Sequence, residues 1–135
     1  MTVCDEGQIF EGLKKSLEEG LGRQLPDLRQ SDRLIPDLGL DSLDMLDLVF
    51  RLERMFGVRL SPREYENRVK KILGDAPLAE DGKYTAQAVA EFRKAMPCVP
   101  ESDLQPGLPV SELGSLFQVR TFMNMVAEAV GRKEA

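Results

Sequence analysis

Apolar residues recur at helical spacing in successive stretches of this chain and almost nowhere alternate with the two-residue period of a strand, which confines the sequence to an all-α fold. Connectors containing proline and glycine separate the stretches. Asp5 and Gln8 fit a capping box that starts a first helix, expected to reach about Gly20 or Gly22 with Ile9, Leu13 and Leu17, and Phe10 beside them, as its apolar stripe. A second helix is expected from about Ser42 to Met55. The next begins at Ser61-Pro62-Arg63-Glu64, with Ser61 as N-cap, Pro62 at the first helical position and Glu64 completing the cap; Tyr65, Val69, Ile72 and Leu73 form its stripe and Gly74 closes it. A further helix is expected from Tyr84 to Met96, with Val89, Phe92 and Met96 on one face, followed by a connector holding Pro97, Pro100, Pro106 and Pro109. The last helix is expected from about Ser111 or Ser115 to Val130, with Gly131 as its stop. Leu116, Val119, Met123, Val126 and Val130 keep its period, and Phe117, Phe122 and Met125 widen its apolar surface.

Between the first two helices, the connector from about Arg23 to Leu40 is long for a compact domain. Leu25, Leu28, Leu34, Ile35 and Leu38 can pin it to a core. It runs into Leu38-Gly39-Leu40-Asp41-Ser42-Leu43-Asp44-Met45-Leu46-Asp47, which sets one serine between a glycine-containing loop and an acidic, amphipathic helix. A hydroxyl at a helix start is usually a cap, since it satisfies an orphan N–H group. Asp41 is better placed for that task, with Asp44 in the first turn where the helix dipole favours an anion. Ser42 is then left as a chemical handle.

Histidine is absent, which removes a Ser-His-Asp triad, an imidazole base and a His-ligated metal. No lysine is tied to Ser42 by a motif, so any chemistry on its hydroxyl has to be supplied by another protein. Asp37, Asp41, Asp44 and Asp47 do not have the alternating ligands and central glycine of an EF-hand loop, and no metal site is expected. The 135 residues, 42% hydrophobic and 30% charged, suit one domain over 1–135. A net charge of -5 disfavours nucleic acid and anionic membranes. Cys4 and Cys98 form neither a disulfide framework nor a metal pair and read as reduced thiols. No apolar run reaches membrane-spanning length and the start, Met1-Thr2-Val3-Cys4-Asp5-Glu6, has no signal-peptide pattern, so a cytoplasmic protein without membrane insertion is expected. A monomer is expected as well, although no feature of the sequence fixes the oligomeric state.

The second helix has more apolar positions than one buried face requires. Leu48, Val49, Leu52 and Phe56 make a core stripe, whereas Leu43, Leu46 and Phe50 point to another side. Either the helix is buried nearly all round, or the second strip, rimmed by Asp41, Asp44 and Asp47, faces a partner.

The register from Asp37-Leu38-Gly39 through Asp41-Ser42-Leu43 and on to Leu48, Leu52, Glu53 and Phe56-Gly57 resembles the acyl carrier protein family. The resemblance covers about residues 5–73 and 111–131 and implies a four-helix bundle, here enlarged by a helical insertion of about residues 75–112 before the last helix. It implies that the protein is not an enzyme. Ser42 would carry a covalent 4′-phosphopantetheine, and the core between the second and last helices could open for an acyl chain. The resemblance favours the partner-facing strip, with Asp41, Leu43, Asp44, Leu46, Asp47 and Phe50 as docking residues. Its implied partners are a phosphopantetheinyl transferase and acyl-loading and acyl-using enzymes of fatty-acid, lipid or polyketide-type synthesis. An aminoacyl or peptidyl carrier using the same serine and an unmodified helical adaptor are the alternatives. Arg51 and Arg54 interrupt a helix that is commonly acidic along its length in bacterial fatty-acid carriers. They could encode a different partner, or pair locally, as Asp47 and Arg51 can at i, i+4 for about 0.2–0.5 kcal/mol.

Overall fold

The structure is a computed structural model that describes residues 5–61 and 63–134. The expected all-α architecture is present: α1 (Glu6–Leu21), α2 (Ser42–Phe56), α3 (Glu64–Leu73), α4 (Ala86–Ala95) and α5 (Val119–Glu134). Helices α1, α2 and α5 pack on one another, and α3 pairs with α4. Leu13, Leu52, Val69, Phe92 and Val126, one from each helix, are all below 2% exposed and belong to one hydrophobic cluster.

The first two helices follow from local chemistry. Asp5 accepts from the Gln8 amide at 2.7 Å while Gln8 Oε1 accepts from the Asp5 amide at 3.0 Å, the reciprocal cap expected of this pair. Gly22, in the left-handed region at φ 70°, ends α1. The stripe of Ile9, Leu13 and Leu17 is buried. Close approach of α2 depends on small residues along a second line of α1. Ser16 is buried, and a methyl at Gly12 would lie 2.6 Å from Phe56 Cζ and one at Gly20 2.8 Å from Asp47 Oδ2.

Beyond Gly57 the sequence expectations need correction. α3 begins at Glu64 with Arg63 in the N-cap position and no side-chain cap. Ser61 Oγ instead accepts from the Arg63 amide at 3.2 Å, and the expected role of Pro62 falls outside the described residues, as does Cys4. Ile72 does not join the buried stripe; it is 60% exposed because α3 buries only the side that meets α4 and α5, through Tyr65 and Val69. The expected fourth helix is shortened at its start, where Tyr84 belongs to a two-stranded antiparallel ribbon, β1 (Ala79–Glu80) and β2 (Lys83–Tyr84). Asp81 and Gly82, at φ 54° and 76°, make its two-residue turn, the conformation that an Asp-Gly pair favours. Thr85 then caps α4 by accepting from the Ala88 amide at 3.2 Å.

The last helix also starts later than expected. Residues Val110–Leu116 form a 3₁₀ segment, and α5 begins at Val119 and continues past Gly131 to Glu134. Its opening N–H groups are taken by the long connector, from Val119 to the Asp32 carbonyl at 2.9 Å and from Arg120 to the Gln30 carbonyl at 2.8 Å. Leu34 donates to the Phe117 carbonyl at 3.0 Å beside them. The same connector that leads to Ser42 is thereby fastened to the start of α5.

Candidate functional site

Ser42 is the first residue of α2, and its position is set by a loop whose turns are internally hydrogen-bonded. The Leu40 amide donates to the Leu34 carbonyl at 3.1 Å, and the Gly39 amide to the Ile35 carbonyl at 3.0 Å. Gly39 turns the chain at φ 78°, a conformation an L side chain would strain. Arg23 Nη2 donates to the Leu38 carbonyl at 2.8 Å, a support that no local sequence pattern signals. Asp37 accepts from the Arg33 backbone amide at 2.8 Å, and that bond, which outweighs the opposing desolvation and is aided by the Arg33 guanidinium, holds its carboxyl below its ordinary range.

The cap at α2 is supplied by the two aspartates. Asp41 Oδ1 accepts from the Asp44 amide at 2.8 Å, and Asp44 Oδ2 accepts from the Asp41 amide at 3.1 Å. Ser42 is therefore not needed as the cap and is exposed to solvent. A covalent arm needs an accessible hydroxyl oxygen, and Ser42, exposed at the first position of α2, meets that condition.

From Ser42 the two faces of α2 separate as the period requires. Leu48, Val49 and Leu52 are at most 3% exposed, and Phe56 is half-buried against the core. Leu43 is 75% exposed, Leu46 42% and Phe50 52%, a row of apolar side chains presented to solvent. The helix is thus not buried all round. Asp41 is exposed and Asp44 and Asp47 partly so, and all three stand on the same helix as this row. Asp47 is also tied to Arg51, whose Nε donates at 2.7 Å and whose Nη1 lies 3.6 Å from Glu19 Oε1. Arg54, by contrast, makes no ion pair among the described residues. Among those residues no cluster of carboxylates and thiols has a metal-holding arrangement, and no helix is long and apolar enough to cross a membrane.

Comparison with known proteins covers this same region. Residues 11–71, which span most of α1, the loop, all of α2 with Ser42, and most of α3, match the family model described as a phosphopantetheine attachment site. The acyl carrier protein of Thermotoga maritima is 39% identical over 64 residues, which are 47% of this chain and 79% of that protein. The acyl carrier protein of Coprothermobacter proteolyticus is 30% identical over 78 residues, 58% of this chain and 94% of that protein. That of Campylobacter lari is 37% identical over 62 residues, 46% of this chain and 80% of that protein. No solved structure matches the chain. A capped helix start with a free serine, an apolar row beside it and relatives matched over most of their own length lead to one conclusion: the chain belongs to the acyl carrier protein family, whose members are carriers with a covalent 4′-phosphopantetheine and not enzymes.

Proposed function

We propose that Ser42 is the attachment point of the 4′-phosphopantetheine and that the protein carries acyl groups on that arm as thioesters, in fatty-acid, lipid or polyketide-type synthesis in the cytoplasm. Carriers of this family work with a phosphopantetheinyl transferase and with acyl-handling enzymes. The observation that carries the assignment of Ser42 is the reciprocal Asp41–Asp44 cap, which leaves an exposed serine at the helix start without a structural duty. The arm supplies the thiol; this chain supplies the hydroxyl and holds it still. With no histidine in the chain, the proton of the Ser42 hydroxyl leaves to a base on the transferase. The Asp41 and Asp44 carboxylates would repel a phosphate on Ser42, so their placement is better explained by capping and by docking of a basic partner surface. Leu43, Leu46 and Phe50 form the apolar part of that docking face, with Asp41, Asp44 and Asp47 as its charged rim. The whole of 1–135 acts as one monomeric carrier domain with its insertion at about 75–112.

Incubation with a broad-specificity phosphopantetheinyl transferase and coenzyme A should add one arm, read by intact-protein mass, and Ser42→Ala should abolish the addition while keeping the helical circular dichroism. Full-stoichiometry modification of the alanine variant would show the site to be elsewhere.

A further inference from the structure

At the end of α2 remote from Ser42 the surface changes character. Asp47, Phe50, Glu53, Arg54, Val58 and Arg59 line an open groove of about 680 Å³. A second hollow of about 540 Å³ shares Val58 and Arg59 with it and extends to Ala129 and Arg132 on α5. Three arginines and two carboxylates line these hollows, in a chain whose net charge is -5, and of the arginines Arg132 already lies 3.8 Å from Glu64 Oε1. Both carboxylates are already bonded within the protein: Asp47 to Arg51 at 2.7 Å, and Glu53 Oε2 to the Leu60 amide at 2.8 Å. Arg54 and Arg59 are exposed and make no ion pair among the described residues. Phe50, 52% exposed, is common to this groove and to the apolar row that starts beside Ser42.

We propose that this groove is a second docking subsite, which receives an acidic segment with an apolar anchor from an acyl-handling partner protein. The inference rests on the carrier reading and gives its docking face a direction: acidic toward Ser42, basic toward Gly57. An apolar side chain of the partner would seat against Phe50 and Val58 while its carboxylates pair with Arg54 and Arg59, whose forked guanidinium groups suit carboxylates. Such charges steer encounter and reject partners of the wrong sign. A membrane fits less well, because the site is a concave groove that the flat surface of a bilayer does not enter.

The test uses the full isotope-labelled chain with two synthetic helical peptides, identical in their leucines, one bearing glutamates and the other glutamines in their place. The glutamate peptide should shift the backbone resonances of Phe50, Arg54, Val58 and Arg59, bind more weakly as salt rises, and bind about tenfold more weakly to the Arg54→Gln/Arg59→Gln variant. Equal binding of the two peptides, or shifts centred on Leu43 instead of Phe50, would overturn the proposal. So would displacement of the glutamate peptide by millimolar inorganic phosphate or by phosphatidylglycerol vesicles, which would show a general anion or lipid site. Arm addition to the arginine variant, followed by mass, should match that of the unsubstituted chain. Failure of the unsubstituted chain to accept the arm would instead overturn the carrier reading, a result independent of the peptide measurements.

Discussion

Tyr84 Oη donates a 2.7 Å hydrogen bond to Glu66 Oε2, joining the ribbon that precedes α4 to the first turn of α3. The Tyr84 ring meets Phe92 edge to face at 4.9 Å, and both side chains are at most 2% exposed. Beyond them, Met96, Val99 and Leu104 are buried in the same cluster as Leu13 and Leu52. The insertion therefore covers apolar surface of α3 that would otherwise face water.

Shared burial predicts shared unfolding. Phe92→Ala should cost about 3–5 kcal/mol and Leu52→Ala about 2–5 kcal/mol, each lowering one common transition followed by helical circular dichroism and by tyrosine fluorescence. A separate low-temperature transition in the Phe92 variant would show that the insertion folds as an independent layer.

Tyr84 and Tyr65 also set an alkaline limit. Burial raises both phenols above their ordinary value of about 10, and for Tyr84 the bond to the Glu66 carboxylate adds to the effect. A folded-state pKa raised above the unfolded one means that the stabilisation is fully present below about pH 10 and is lost as pH rises toward the folded value. Urea melts should show constant stability from the tyrosines at neutral pH and a decline above about pH 10 that is shallower in Tyr84→Phe. At pH 7 the same variant should lose about 1.5 kcal/mol, the low end for a bond to a charged group, because the Glu66 carboxylate keeps some access to water. An unchanged alkaline slope would exclude Tyr84 as a contributor.

At the carrier site, capping and attachment should separate experimentally. Asp41→Ala removes the acceptor of the Asp44 amide and should cost about 1 kcal/mol. Ser42→Ala should change stability by no more than about 0.5 kcal/mol. A larger loss in the serine variant than in the aspartate variant, measured in the same denaturant series, would assign the cap to Ser42 and weaken its standing as a free handle.

The parts of the molecule that could be read from sequence are those whose causes lie within a few residues. Asp5 with Gln8, Asp41 with Asp44, and Gly22 and Gly57 bracket α1 and α2 by local hydrogen bonds and backbone conformation, so both helices fall where their caps predict. The exposed row of Leu43, Leu46 and Phe50 was legible for the same reason, since one helical period places all three on one side. The start of α5 was not legible, because carbonyls of Gln30 and Asp32, distant in sequence, receive its first N–H groups. The Asp81-Gly82 turn did carry a signal, but strands of two residues are too short to alternate. Arg59 and Arg132 gave no hint of a shared groove, because they come from separate segments that only the fold brings together.

Two glycines on the same line of α1 should respond differently to a methyl group. Alanine favours a helix interior over glycine by about 1 kcal/mol, a gain that applies in full at Gly12 and is smaller at Gly20 in the last turn of α1. At Gly20 the added methyl meets the Asp47 Oδ2 atom at 2.8 Å, the end of a side chain that is 44% exposed and can turn aside by loosening its ion pair with Arg51, worth about 0–1 kcal/mol at the surface. Gly20→Ala should therefore be neutral or stabilising by up to about 1 kcal/mol. At Gly12 the methyl meets Phe56 Cζ at 2.6 Å and Met55 Sδ at 2.8 Å, and the Phe56 ring, packed against the core, has little room to retreat. Overpacking of about 1–3 kcal/mol should outweigh the propensity gain, leaving Gly12→Ala destabilised and α2 displaced from α1. Thermal melts should place Gly12→Ala below the unsubstituted chain and Gly20→Ala at or above it, and a stabilised Gly12→Ala would mean that α2 does not approach α1 as closely as the Gly12–Phe56 contact requires.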